Sequence, residues 1–175
     1  MTTAVALNRT NLYSQFYFNI HNLLDDRDNV ADPRDPTGHR NFVRSREPSF
    51  SRGDDFPLIV VNPANVNTSE TRLGDDKTAE VSGEIVVEVW STDDAFRTNT
   101  TTDVHGKGLT HLDAISDDVI QTLNSVANRN TLRANNIGMV KVEAGSMESL
   151  TIDGGRFYLR EIKVTFNTAL LTVSA

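Results

Sequence analysis

KTAEVSGEIVVEVWS, residues 77–91, alternates apolar and polar side chains along most of its length. Ala79, Val81, Ile85, Val87 and Val89 share one parity, with Gly83 between them. Glu80, Ser82, Glu84, Val86, Glu88 and Trp90 share the other. Successive residues of a strand point to opposite faces, so this period predicts a long strand with one face on a core and one toward water. Upstream, Leu58 to Asn62 lies between Pro57 and Pro63 and reads as a short buried strand. A polar stretch of about a dozen residues separates the two, which predicts a long antiparallel hairpin.

Helical spacing appears on either side of that hairpin. From Asn8 to Leu24, the residues Leu12, Tyr13, Phe16, Ile20, Leu23 and Leu24 fall on one stripe, with Asn8 or Thr10 able to cap the helix. From Thr110 to Ala127 a second stripe holds Leu112, Ile115, Val119, Leu123 and Val126. Thr110 with Asp113 fits a capping-box pattern. Asn128-Arg129-Asn130 reads as a break, with one more turn over Leu132 to Asn136. Two late strands are expected, Met139 to Glu143 and Arg156 to Asn167. Asp153-Gly154-Gly155 marks a turn, so Ser149 to Ile152 can pair with the strand beginning at Arg156. Leu170, Leu171 and Val173 form an apolar tail.

The order is α-β-β-α-β-β. It predicts an α+β fold, a single antiparallel or mixed sheet with two main helices packed on it. At 175 residues the chain fits one domain, 1–175. The expected core is Phe16, Ile20, Val81, Ile85, Val87, Val89, Ile115, Val119, Leu123, Ile162, Val164 and Phe166.

Composition narrows the function. With no cysteine, thiolate catalysis, disulfides and Cys-ligated metals are excluded. A net charge of −7 argues against sequence-independent DNA binding, which needs a basic footprint. No run approaches the length of a membrane span, and residues 1–10 carry no basic start or apolar segment of a secretory signal. Four lysines stand against thirteen arginines, and sixteen aspartates against eight glutamates. Asx and Thr crowd the loops. This surface resembles that of proteins from salt-loving archaea and their viruses, where salt screens charge within about 3 Å at molar concentration; the alternative is a mildly acidic mesophilic protein.

Residues 25–56 read as a long loop or arm. Asp32-Pro33, Asp35-Pro36, Gly38 and Glu47-Pro48 break regular structure, and six arginines stand among seven aspartates. A loop of this length is expected to be functional or disordered. The composition predicts an arm ordered against a neighbouring subunit, with Arg40, Arg44 and Arg46 as contacts and Phe42, Val43 and Phe50 as apolar anchors. The alternative is a surface loop. Trp90 joins these interface candidates, because aromatic residues are enriched at interfaces; the other reading places it in the core, covering the second face of the sheet or packed under a helix.

No catalytic or metal-binding constellation emerges. His21, His39, His105 and His111 lack the i, i+4 spacing of a metal pair, and the two flanking the second helix read as solvated. Ser116-Asp117-Asp118 suits the positive end of a helix dipole. Asp25-Asp26 and Asp54-Asp55 lack the alternation of a calcium loop, and neither a phosphate-binding glycine loop nor a Gly-x-Ser-x-Gly elbow occurs. The expectation is a non-enzyme with no cofactor and no metal.

An N-terminal helix, the segment Pro57-Leu58-Ile59-Val60-Val61, the strand Glu84 to Trp90, the helix Leu112 to Val126 and the strand Phe157 to Phe166 together resemble the tail terminator, or tail completion, proteins of long-tailed phages. The likeness spans about residues 8–168 and lies in element order, length and residue type. It implies a structural virion protein of the tail or neck, made in the host cytoplasm. Such a protein forms a ring, typically a hexamer, that caps the tail tube and meets a head-side connector or stopper. DNA passes through the ring without specific binding, and an acidic subunit suits that passage. The alternatives are another tube, baseplate or connector subunit, or a cellular non-enzymatic domain that binds a small ligand.

Overall fold

In the computed structural model of the chain, residues 12–33, 42–46, 48–50, 56–73, 76–93, 108–135 and 137–173 are described. The elements run α1 (Leu12–Leu24), β1 (Val43–Arg44), β2 (Leu58–Val61), β3 (Asn65–Leu73), β4 (Asp76–Thr92), α2 (Leu109–Asn124), α3 (Val126–Ala134), β5 (Gly138–Ile152) and β6 (Gly155–Val173). The six strands form one sheet in the order β1-β2-β4-β6-β5, with β3 also on β4. The fold is α+β, and the α-β-β-α-β-β frame persists with further elements inserted.

Strand β4 organises the sheet because its 17 residues serve two partners on one side. Its C-terminal half pairs antiparallel with β2, Leu58 facing Trp90 and Val61 facing Val87. Its N-terminal half pairs antiparallel with β3, Asn65 facing Glu84 and Leu73 facing Asp76. On the other side β6 follows it from Lys77 opposite Val173 to Thr92 opposite Phe157. Strand β5 closes a hairpin on β6 through Asp153 and Gly154. Both have positive φ, 49° and 76°, the backbone that a two-residue hairpin turn matching strand twist requires.

The helices lie on one face. The main core joins Phe16, Ile20 and Leu24 of α1, Ile85, Val87 and Val89 of β4, Leu112, Ile115, Val119 and Leu123 of α2, and Ile162, Val164 and Phe166 of β6. Phe16 stacks on Phe166 at 3.7 Å between ring centroids. Gly83 creates the room for that stack, since a Cβ there would stand 2.5 Å from the Phe166 ring and 2.7 Å from the Asn65 carbonyl oxygen. Of the twelve expected core residues, eleven are buried; the side chain of Val81 lies outside the described residues.

Several expectations need correction. The dozen polar residues before β4 hold β3, a nine-residue strand. Its Asn, Thr and Ser content hides it, because an edge strand held by backbone pairing needs little apolar surface. The two short strands expected between Met139 and Ile152 are one strand, β5, irregular between Ala144 and Met147. Strand β6 reaches Val173 and absorbs the apolar tail. Helix α2 begins at Leu109 after Gly108, so Thr110 is inside it and no side chain caps it. The break falls at Ser125 (φ −60°, ψ 142°), whose hydroxyl accepts the Asn128 N–H at 3.1 Å and starts α3. Asn128-Arg129-Asn130 is helical.

The segment 25–56 is also more structured than expected. Val30, Phe42 and Phe56 are fully buried. Val43 and Arg44 pair in parallel with Ile59 and Val60. Behind α1, Asn29 donates its side-chain amide to the Leu23 carbonyl, and its own carbonyl accepts the Thr122 hydroxyl at 3.0 Å. The turn is thereby tied to α2.

Candidate assembly surface

The second face of the sheet, away from the helices, divides into an apolar half and a charged half. Alternation places Leu58 and Val60 of β2, Trp90 of β4, and Phe157 and Leu159 of β6 together, with Phe56, in a second buried cluster. Phe50 covers it. Its ring meets Phe157 at 5.0 Å and Trp90 at 5.3 Å, both edge to face. Phe50, which lies in sequence between β1 and the parallel β2, therefore packs on this face, with Leu150 and Ile152 against the same cluster.

The interface candidates distribute accordingly. Arg40 lies outside the described residues. Phe42 is fully buried in the main core, and its carbonyl accepts the Ile59 N–H at 2.7 Å. It therefore holds the chain's own β1 to β2 and is not an anchor for a neighbour. Trp90 is 6% exposed. Its Nε1 donates to the Glu88 carboxylate at 2.7 Å, and the Asn62 amide donates to the other oxygen at 2.6 Å. Trp90 thus packs against Phe50 within the second cluster. Phe50 is half-buried in the same cluster. Arg44 is half-buried on β1, and Arg46 is exposed beside it.

Further along the same face the apolar residues give way to carboxylates. Glu84 and Glu88 of β4, Glu161 of β6, and Glu143 and Glu148 of β5 share it with Lys141 and Lys163 by register. Lys163 Nζ meets Glu84 at 2.5 Å and Lys141 Nζ meets Glu143 at 2.7 Å. The hydrogen bond to Glu84 raises the Lys163 ammonium above its ordinary pKa, and the Glu84 charge adds to it. Glu88 and Glu161 stand directly opposite each other. Such a cross-strand pair of like charges opposes pairing, and the two donors on Glu88 offset it. Among the described side chains, five carboxylates against two ammoniums leave this half-face acidic.

A second feature lies beside α1. Ser14, Tyr17 and Phe18 of α1, with Ser45, Pro63 and Ala64, line an open groove of about 360 Å³. Phe18 is 49% exposed beside it. Burial raises the Tyr17 pKa, opposed by a hydrogen bond with Ser45. Burial lowers that of His21, whose ring lies 5.4 Å from Tyr17, and Asp25 opposes this shift.

The histidines differ from expectation at one position. His111 is fully buried in the first turn of α2, on the stripe with Leu112 and Ile115. It is therefore not a solvated loop residue. His39 and His105 lie outside the described residues. Among the described residues, no three or more His, Asp or Glu side chains gather as metal ligands. No helix described is long and apolar enough to cross a membrane.

Three pairings went unforeseen. Tyr158 donates its hydroxyl to Asp93 at 2.5 Å, which raises the phenol pKa. Gly108, at φ 58°, sits where any Cβ would strike Asp93. Arg160 Nη2 meets Asp113 at 2.9 Å and links α2 to β6. These contacts join residues distant in sequence, and no local pattern announces them. Phe157 and Leu159 did carry a signal, since both have the parity opposite to Tyr158, Ile162 and Val164. Comparison with protein-family models gives no match, and comparison with curated proteins gives none.

Proposed function

We propose that this chain is a structural subunit of a virion, resembling a tail terminator, that assembles with copies of itself into a ring closing the tail tube. The ring is a hexamer in this reading. It meets the tail tube protein on one side and a head-side connector or stopper on the other, and DNA passes through it unbound. The acidic half of the sheet's second face, over which no described helix packs, supports the reading. Like charge on that surface disfavours adhesion of a phosphate backbone, so it suits the wall of a DNA passage. The Asp-rich, Lys-poor composition fits a virus of a halophilic archaeon, and the element order fits the family resemblance.

The test is tail capping. The cognate tube protein, polymerised in molar salt with and without this chain, is measured for tube length by electron microscopy. Arrest of growth with density at one tube end is the expected result. Unchanged growth and bare ends overturn the reading. The groove beside Tyr17 and Phe18 favours a second reading, a domain that binds a small ligand, since its volume falls in the range of such pockets. A monomer whose melting temperature rises with an aromatic probe would favour that reading.

A further inference from the structure

We infer that the outer edge of β5 is an interaction surface whose partner is the β3 edge of a second copy of this chain. This deepens the ring reading and rests on it. Among the described residues nothing pairs with the outer side of β5, and it ends the sheet. The side chains of Lys141 and of every residue from Glu143 to Ser149 are exposed, so no described element folds over that flank. An edge strand presents a row of unpaired N–H and C=O groups to any strand that approaches, and proteins usually shorten, cover or bulge such edges, or place proline or charge in them. Strand β5 is 15 residues long and contains no proline; it carries Lys141 and two register shifts, and from Met147 to Ile152 its register is regular. Ala144, Gly145 and Ser146 are small, which leaves its backbone approachable.

The opposite flank offers a matching edge. Strand β3 pairs with β4 on one side, and its other side has no described partner. It has nine residues, with neither proline nor lysine. Strand polarity selects the pairing. Because β3, β6 and β2 all run antiparallel to β4, and β5 antiparallel to β6, β3 and β5 run in opposite directions. Two copies side by side in the same orientation therefore bring β5 of one to β3 of the next as an antiparallel pair, the more stable mode. Their levels correspond as well. Asn65 faces Glu84, Glu84 faces Thr165, and Thr165 faces Lys141, so one line crosses the whole sheet from edge to edge. Pairing β5 with β5 about a two-fold axis would close a dimer and leave β3 open. Pairing β5 with β3 uses both edges and repeats, the heterologous contact that makes rings.

The chain contains no cysteine, so single cysteines report without background. The full chain carrying Asn65→Cys is mixed with chains carrying Lys141→Cys, Glu143→Cys or Ser149→Cys. The three positions allow for the stagger a closed sheet imposes. A short bismaleimide is added in molar salt, and products are read by mass spectrometry beside the native mass. A crosslinked pair joining Asn65→Cys to one β5 position, in excess over either variant alone, is the expected result. An oligomer that gives only β5-to-β5 products, or no β3-to-β5 product, overturns the edge assignment and leaves the ring reading standing. A monomer at every salt concentration overturns both. Circular dichroism of each variant confirms that the fold is intact.

Discussion

At the scale of single residues, Gly83 shows how one missing Cβ sets the packing. The Phe16–Phe166 stack passes through the space an alanine would fill. Gly83→Ala is expected to destabilise the fold by about 1–3 kcal/mol, the usual cost of overpacking, read as a lower urea midpoint. Ile85→Ala and Leu123→Ala test the core from the opposite direction. Both side chains are fully buried, and each truncation should cost about 2–5 kcal/mol; unchanged melting would refute their placement. His21 supplies a pH dependence. Burial holds its folded pKa below the ordinary value of 6.5, so the folded state binds its proton less tightly than the unfolded chain. The stability is fully present above that value and falls as pH drops from 6.5 toward the lowered folded pKa. His21→Gln should flatten this part of a stability-versus-pH curve, and a curve of unchanged slope would assign the dependence elsewhere.

At the scale of elements, periodicity carries most of the fold. Strand β4 and helix α2 are legible because each sets an apolar face against a polar one over more than a dozen residues. Strand β3 is not, since it pairs through its backbone and shows no apolar alternation. The segment 25–56 misleads for a related reason. Its arginines, aspartates and prolines dominate the composition, while Val30, Phe42, Val43 and Phe56 reach the core singly and at no regular spacing. Phe42 and Trp90, both buried, show the consequence, because scattered aromatics among arginines resemble surface anchors until the partner strands are known. The charged half-face can be read from Glu84 and Glu88, but its pairing with Lys163 needs the register between β4 and β6. Ser125 gives a test at this scale. As the N-cap of α3 it satisfies the Asn128 N–H, and Ser125→Ala should cost about 1 kcal/mol, with the loss seen as faster amide exchange in α3.

At the scale of the whole molecule, one sheet faces two ways. Its helix-covered side makes the main core, while its other side is sealed by Phe50 at one end and carboxylate-rich at the other. Salt should act mainly on that acidic surface. Screening at molar concentration shortens the reach of its repulsion to about 3 Å, so assembly of copies is expected to strengthen as salt rises. The proposed ring is tested most directly by the native mass of the purified chain in molar salt, measured by light scattering after size exclusion. A closed particle of several copies is expected, six times the 19.4 kDa chain mass for the hexamer. A single species at 19.4 kDa from low to molar salt would contradict it.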